Sequence, residues 1–194
     1  MSDATRLSGV LAGALALGLL APLAARGDEL PVTLQVQLLS KMPTYIDSLG
    51  SVGGATIKVL VVYPGPAETP SRGAAALVSA IAQVGQFGTA KAEPKPVPFL
   101  GEKKLQAVLG AEKPQVLYLA PEIDASAAAA IVQACAGSTT LTVTGNGDLV
   151  KLGVVLGFSL VEARPRVLVN LKQATAQNLV LRSGLLSHAV IVDR

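Results

Sequence analysis

Residues 56–63 read TIKVLVVY. The run is β-branched and almost continuously apolar, the pattern of a strand buried on both faces of a parallel sheet. Pro64, Gly65 and Pro66 end it in a loop. A helical pattern follows. Thr69 and Pro70 predict an N-cap and a first helical residue, Leu77, Val78, Ile81 and Val84 continue the helix, and Gly85 to Gly88 close it. Residues 92–99 are proline-rich, and proline is confined to sheet edges, so a short edge strand is predicted there.

The alternation continues downstream. Residues 102–109 predict a short helix with Leu105, Val108 and Leu109 inward, stopped by Gly110. Residues 115–120, QVLYLA, are a second buried strand. Asp124 is placed to cap a helix over 125–136, which Gly137 ends. Residues 139–144 read as a strand, and Gly145-Asn146-Gly147-Asp148 as a turn or loop. Upstream, Leu34, Leu38, Leu39, Met42, Ile46 and Leu49 recur at helical spacing. They predict one helix over 31–49, kinked at Pro43 and ended by Gly50, Gly53 and Gly54.

Beyond residue 153 the pattern changes. Residues 154–161 and 166–169 are strands joined tightly through 162–165, hence an antiparallel hairpin. Asn170 and Gln173 form an Asn-x-x-Gln capping box for a helix to about Asn178. Ser183 is placed to cap a last short helix through Ala189. The order βαβαβαβ followed by a hairpin predicts a single-domain three-layer α/β/α sandwich. Its sheet is mostly parallel, with an antiparallel C-terminal hairpin.

Residues 1–27 read MSDATRLSGVLAGALALGLLAPLAARG. Arg6 and the amino group precede an apolar run over 7–20, broken only by Ser8; Pro22 and the small residues Ala24, Ala25 and Gly27 follow. This is the layout of a secretory signal peptide, and the apolar run is shorter than the roughly 20 residues of a spanning helix. Export with cleavage near Ala25 or Gly27 is expected, leaving residues 28–194 as an exported domain. An uncleaved anchor or a core helix is the other reading. No cysteine follows the run, so there is no lipobox.

The 194-residue chain is 51% hydrophobic and 15% charged, with 3% aromatic residues and no tryptophan. Disorder is excluded, because disordered chains are poor in apolar residues and rich in charge. A net charge of only +3 and few rings for stacking argue against nucleic acid. The hydropathy divides between the leader and an alanine, valine and leucine core. Cys135 is the one cysteine, so core burial and not an internal disulfide must hold the fold. Within its alanine-rich helix it reads as a small buried hydrophobe; a disulfide-linked homodimer stays open.

Candidate sites are few. His188 is the only histidine, and without nearby Asp or Cys it reads as structural, near a helix end. No HExxH or CxxC pair is present, so no metal or cofactor is expected. Glu122 and Asp124 open a helix, where acidic residues suit the dipole. Tyr63, Pro64 and Arg72 border the loop after the first buried strand, and Asn146 and Asp148 lie after a later one. Open α/β sheets place ligand loops at such strand ends, so these five residues are the candidate ligand or partner surface. No nucleophile, base and orienting group assemble, which favours a binding protein over an enzyme.

The C-terminal stretch adds a resemblance. Gly157-Phe158, then Arg166-Val-Leu-Val-Asn170-Leu-Lys172-Gln-Ala174, then Leu181-Arg-Ser183-Gly-Leu185-Leu186-Ser-His-Ala189, resembles the YfiR-like family. Asn170, Lys172 and Ser183 are its markers here, and they mark capping and packing. The overlap spans roughly residues 30–191, with the last forty or so positions distinctive. The resemblance implies an exported periplasmic regulator. It would bind the periplasmic sensor domain of an inner-membrane diguanylate cyclase or sensor kinase, restrain cyclic-di-GMP synthesis, and be relieved by an outer-membrane lipoprotein. The chain departs from the family in its lone cysteine and in a missing tryptophan after the first helix, where Pro43, Thr44 and Tyr45 stand. The alternative is a periplasmic small-ligand-binding protein using the loops at 64–72 and 145–148; an exported hydrolase of unfamiliar type is a third reading.

Overall fold

A computed structural model describes residues 30–50, 56–66 and 68–193. The leader at 1–27, Gly53 and Gly54 lie outside the described residues. The chain enters through helix α1 (Val32–Leu39), a 3-10 turn (Met42–Thr44) and helix α2 (Asp47–Gly50). Then come β1 (Thr56–Pro64), α3 (Arg72–Val84), β2 (Gln86–Phe87), β3 (Ala90–Phe99), α4 (Glu102–Glu112), β4 (Val116–Leu119), α5 (Ala125–Ala134) and β5 (Leu141–Thr144). The C-terminal part consists of α6 (Gly147–Lys151), β6 (Leu156–Val161), β7 (Arg164–Asn170), α7 (Leu171–Ala176), α8 (Ser183–Leu186) and β8 (Val190–Asp193).

The described strands form one eight-stranded sheet in the order β2-β3-β1-β4-β5-β6-β7-β8. β1 pairs in parallel with β3 and β4, and β4–β5, β5–β6 and β7–β8 are also parallel. Only β2–β3 and the β6–β7 hairpin are antiparallel. The sheet is the middle layer of the expected sandwich, with an apolar cluster on each face. Ile57, Val59, Val61 and Tyr63 of β1 join α1 and α3 in one cluster; Leu60 and Val62 join α4 and α5 in the other. That division explains why β1 is apolar at nearly every position.

Several local expectations are corrected. The helix over 31–49 is three short pieces. Pro43 stands in the first turn of the 3-10 segment, where its missing N–H costs nothing, and α1 ends at Leu39. Ser71, not Thr69, caps α3: its Oγ accepts the Ala74 N–H at 3.3 Å. α4 runs through Gly110 to Glu112, and Lys113 takes the left-handed closing position at φ 48°. The 145–148 stretch opens the short helix α6 instead of staying a loop. Asn170 caps α7 by accepting the Gln173 N–H at 2.9 Å, but the box does not close, because its own N–H goes to the Val155 carbonyl within the sheet. Ser183 is the first residue of α8 and caps nothing; Arg182 precedes it, bonded to Asp47 at 2.6 Å. The apolar end of the chain is an eighth strand, whose four residues are too few to show a period.

Gly145 has a close-approach reason. A Cβ there would run into the side-chain amide of Gln35. That amide is buried, donates to the Leu30 carbonyl at 2.5 Å and accepts from the Tyr118 hydroxyl.

Candidate functional site

The parallel core reads β3-β1-β4-β5-β6, the doubly wound order in which the chain reverses direction beside its first strand. The crevice between the carboxyl ends of β1 and β4 is therefore the position where this architecture best holds a ligand, with the N-terminus of α3 aimed into it. Here the chain supplies its own anion. Glu122, from the turn after β4, accepts the Gly73 N–H through Oε1 at 2.8 Å and the Ser71 hydroxyl through Oε2 at 2.9 Å. The helix end is thus satisfied twice: Ser71 takes the third N–H of α3 and Glu122 the second. Gly73 must be glycine for this, since a Cβ would stand 2.7 Å from Glu122 Oε1 and 2.8 Å from Pro121 Cδ.

Beside this contact lies a cleft of about 530 Å³ lined by Glu122, Asp124, Asn146, Asp148, Leu149 and Leu152, among others. Its polar groups are engaged. Asp124 Oδ1 accepts the Ala127 N–H at 2.7 Å and caps α5. Asn146 Oδ1 accepts the Asp148 N–H at 3.0 Å and caps α6. Asp148 pairs with Lys151 at 2.8 Å. Leu152 is 49% exposed beside them. The result is an acidic rim with an apolar spot, all of it at the carboxyl edge of the sheet.

Of the five candidate surface residues, the structure brings Asn146 and Asp148 together in this cleft. Pro64 and Arg72 are exposed at the same edge but do not line it. Tyr63 is not on the surface: at 4% exposure it belongs to the core beneath α3, because alternate residues of β1 point to opposite faces. Sequence reading placed Glu122 at the start of its own helix and missed its role on α3. Its partners lie 49 and 51 residues away, with no local signal. Leu152 and the exposed residues of the β6–β7 turn were also missed.

Elsewhere the chemistry is inert. The His188 ring nitrogen Nδ1 is exposed beside Ser187 Oγ at 2.9 Å and the Gly184 carbonyl at 3.1 Å. Cys135 is fully buried, and burial pushes its thiol up to about 12, so it stays protonated and out of reach of a partner thiol. A second depression of about 530 Å³, over the N-terminal parts of β1 and β3, holds Lys58, Lys91, Glu93, Lys95 and Glu112. Its charges pair with one another, and the Lys95 ammonium, bonded to Glu112 at 2.5 Å, holds that carboxyl below its ordinary range. Such exposed pairs contribute little. Among the described residues, no three His, Cys, Asp or Glu side chains are grouped to hold a metal ion, and no helix is long and apolar enough to cross a membrane.

An α/β sandwich with a filled switch point and an exposed carboxyl edge defines a doubly wound fold class, and comparison with known proteins narrows it. The YfiR/HmsC-like family model matches residues 73–190, and the chain belongs to that family. No curated protein matches. Among solved structures, the ABC domain in complex with L-Trp from Streptococcus pneumonia is similar at TM-score 0.54 and 9% identity, over 83% of this chain and 61% of that one. A conserved domain protein from Vibrio cholerae is similar at TM-score 0.52 and 16% identity, over 83% of this chain and 60% of that one. The chain spans about three-fifths of each, and the likeness at these identities is one of fold.

Proposed function

We propose that the protein is an exported periplasmic regulator without enzymatic activity. It binds the periplasmic part of a membrane signalling protein of the diguanylate cyclase or sensor kinase type and so modulates cyclic-di-GMP or a related signal. Membership of the YfiR/HmsC-like family over residues 73–190 carries this reading. An outer-membrane lipoprotein that competes for the regulator is part of the same reading, as are a leader at 1–27 removed on export and the domain at 28–194.

The site geometry supports a protein partner over a small ligand. The similar structure that holds L-Trp is a longer chain, of which this one spans 61%. Here the crevice at the switch point holds Glu122, and Tyr63 is turned into the core. What stays available is the outer rim of the carboxyl edge. Affinity capture of the tagged, exported protein from solubilised membranes is expected to recover a protein with a periplasmic sensor domain, and deletion of its gene is expected to change cellular cyclic-di-GMP. Repeated capture that brings down no sensor or cyclase, with no change in the nucleotide, would refute the proposal.

A further inference from the structure

The β6–β7 hairpin outruns its neighbours. β5 pairs with β6 only at Leu156 and Gly157, and β8 pairs with β7 only from Leu168 to Asn170. The hairpin itself stays paired out to Val161 and Arg164. Between Phe158 and Val167 it is thus a two-stranded arm with no neighbouring strand on either side among the described residues. Residues opposite each other in an antiparallel pair share a face. Leu160 and Val167 lie with buried Phe158 on the core side. Val161, Arg164 and Arg166 lie on the other, and all three are exposed.

Neither arginine forms an ion pair with a carboxylate of the described residues, whereas Arg182, just before α8, does. Two residues apart on one strand, the two arginines leave the backbone about 7 Å apart on one face. On its β7 edge the arm is also guarded against pairing with a second copy. The bond from the Asn170 N–H to the Val155 carbonyl sets the even-numbered residues of β7 towards β6, so Pro165 faces the open edge and has no donor to offer. Recognition there falls to side chains. The tip is Glu162 and Ala163 at φ 52° and 58°, a turn that asparagine and glycine form more readily, so the arm is kept at a cost in stability.

We infer that this arm is a docking element for an acidic, extended segment of the partner protein. Carboxylates at alternate positions of that segment pair with Arg164 and Arg166, and an apolar side chain rests on Val161. Arginine suits the role because its planar fork bonds a carboxylate through two N–H groups. The inference rests on the regulator reading above and names the surface and the partner chemistry.

The test titrates the full mature protein with the purified periplasmic domain of each membrane diguanylate cyclase and sensor kinase of the same cell, at low and high salt. The wild type is expected to bind one of them, more weakly in high salt. Arg164→Glu with Arg166→Glu is expected to bind at least about tenfold more weakly, at an unchanged melting temperature. Reversal of an acidic pair on the partner should restore binding to that variant. If the reversal lowers the melting temperature, Arg164→Ala with Arg166→Ala takes its place. Equal binding by wild type and variant overturns the docking arm and leaves the regulator reading standing; binding of the wild type to none of the domains overturns that reading and this inference with it.

Discussion

Replacing Glu122 with alanine tests whether the chain fastens its own switch point. The carboxylate makes two bonds to the start of α3, at 2.8 Å to the Gly73 N–H and 2.9 Å to the Ser71 hydroxyl. In the variant Ser71 still accepts the Ala74 N–H, so one backbone donor is released to water and none is buried bare. Loss of a helix cap costs about 1 kcal/mol, and loss of a negative charge at the N-terminus adds about 0.5 kcal/mol at an exposed position. The expected loss is therefore about 1.5 kcal/mol, or a melting temperature lower by about 3–6 °C for a domain of this size. Urea denaturation at neutral pH reads it as a fall in midpoint at constant slope. Glu122→Gln, which keeps an acceptor and loses the charge, should lie between. Gly73→Ala should also destabilise, although alanine favours helix by about 1 kcal/mol, because its Cβ meets the carboxylate; in the Glu122→Ala background the penalty should shrink. A loss under about 0.3 kcal/mol, or strict additivity of Glu122→Ala with Ser71→Ala, would refute the coupling.

Glu162→Asn with Ala163→Gly relieves two left-handed residues and should raise stability by about 1 kcal/mol, read by thermal melting; no gain would show that the turn is unstrained. Gly145→Ala drives a methyl into the Gln35 amide and should lower stability by about 1–3 kcal/mol, read by urea denaturation. Cys135 has its thiol raised from 9.0 to about 12, so the folded state keeps a proton that the unfolded chain releases. That contribution is whole below about pH 9 and is lost as pH climbs towards 12. Cys135→Ala should therefore flatten the alkaline limb of a stability–pH profile, and an unchanged limb would count against burial as the cause.

The fold was legible wherever a local rule decides the structure. TIKVLVVY at 56–63 is a strand because a short β-branched run stopped by Pro64 and Gly65 suits a pleated surface buried on both faces, and Asp124 caps a helix because its carboxylate reaches only three residues along the chain. Where two local rules compete, the sequence misleads. Thr69 and Pro70 suit a helix start, yet Ser71 wins because Glu122 holds its hydroxyl from across the sheet. Gly110 has the look of a stop, but without a left-handed φ it passes as an ordinary helical residue, and Lys113 does the stopping. The site was less legible for the same reason. The position of Asn146 and Asp148 after a strand is legible in the sequence, and the structure puts both in one cleft, whereas the contact of Glu122 with α3 and the length of the hairpin arm depend on pairings between distant segments. Tyr63 was misplaced because an apolar run on both faces does not say which end of the strand clears the helices.

The filling of the switch point bears on what a partner must read. A doubly wound sheet gathers its helix N-termini at one edge, and that edge attracts anions. In this protein three of the four described termini at the edge already have an internal acceptor: Glu122 and Ser71 on α3, Asp124 on α5, Asn146 on α6; α4, after β3, starts at Gly101 without a side-chain cap. The ends of α3 and α5 are covered by carboxylates and that of α6 by an amide, and Glu122, Asp124 and Asp148 give the same edge a negative rim. Arg164 and Arg166, which form no ion pair among the described residues, stand exposed on the hairpin arm at the same edge and do not line the cleft. Charges of both signs on one edge favour a partner that presents both signs in fixed register, which a folded protein surface does and a small anion does not.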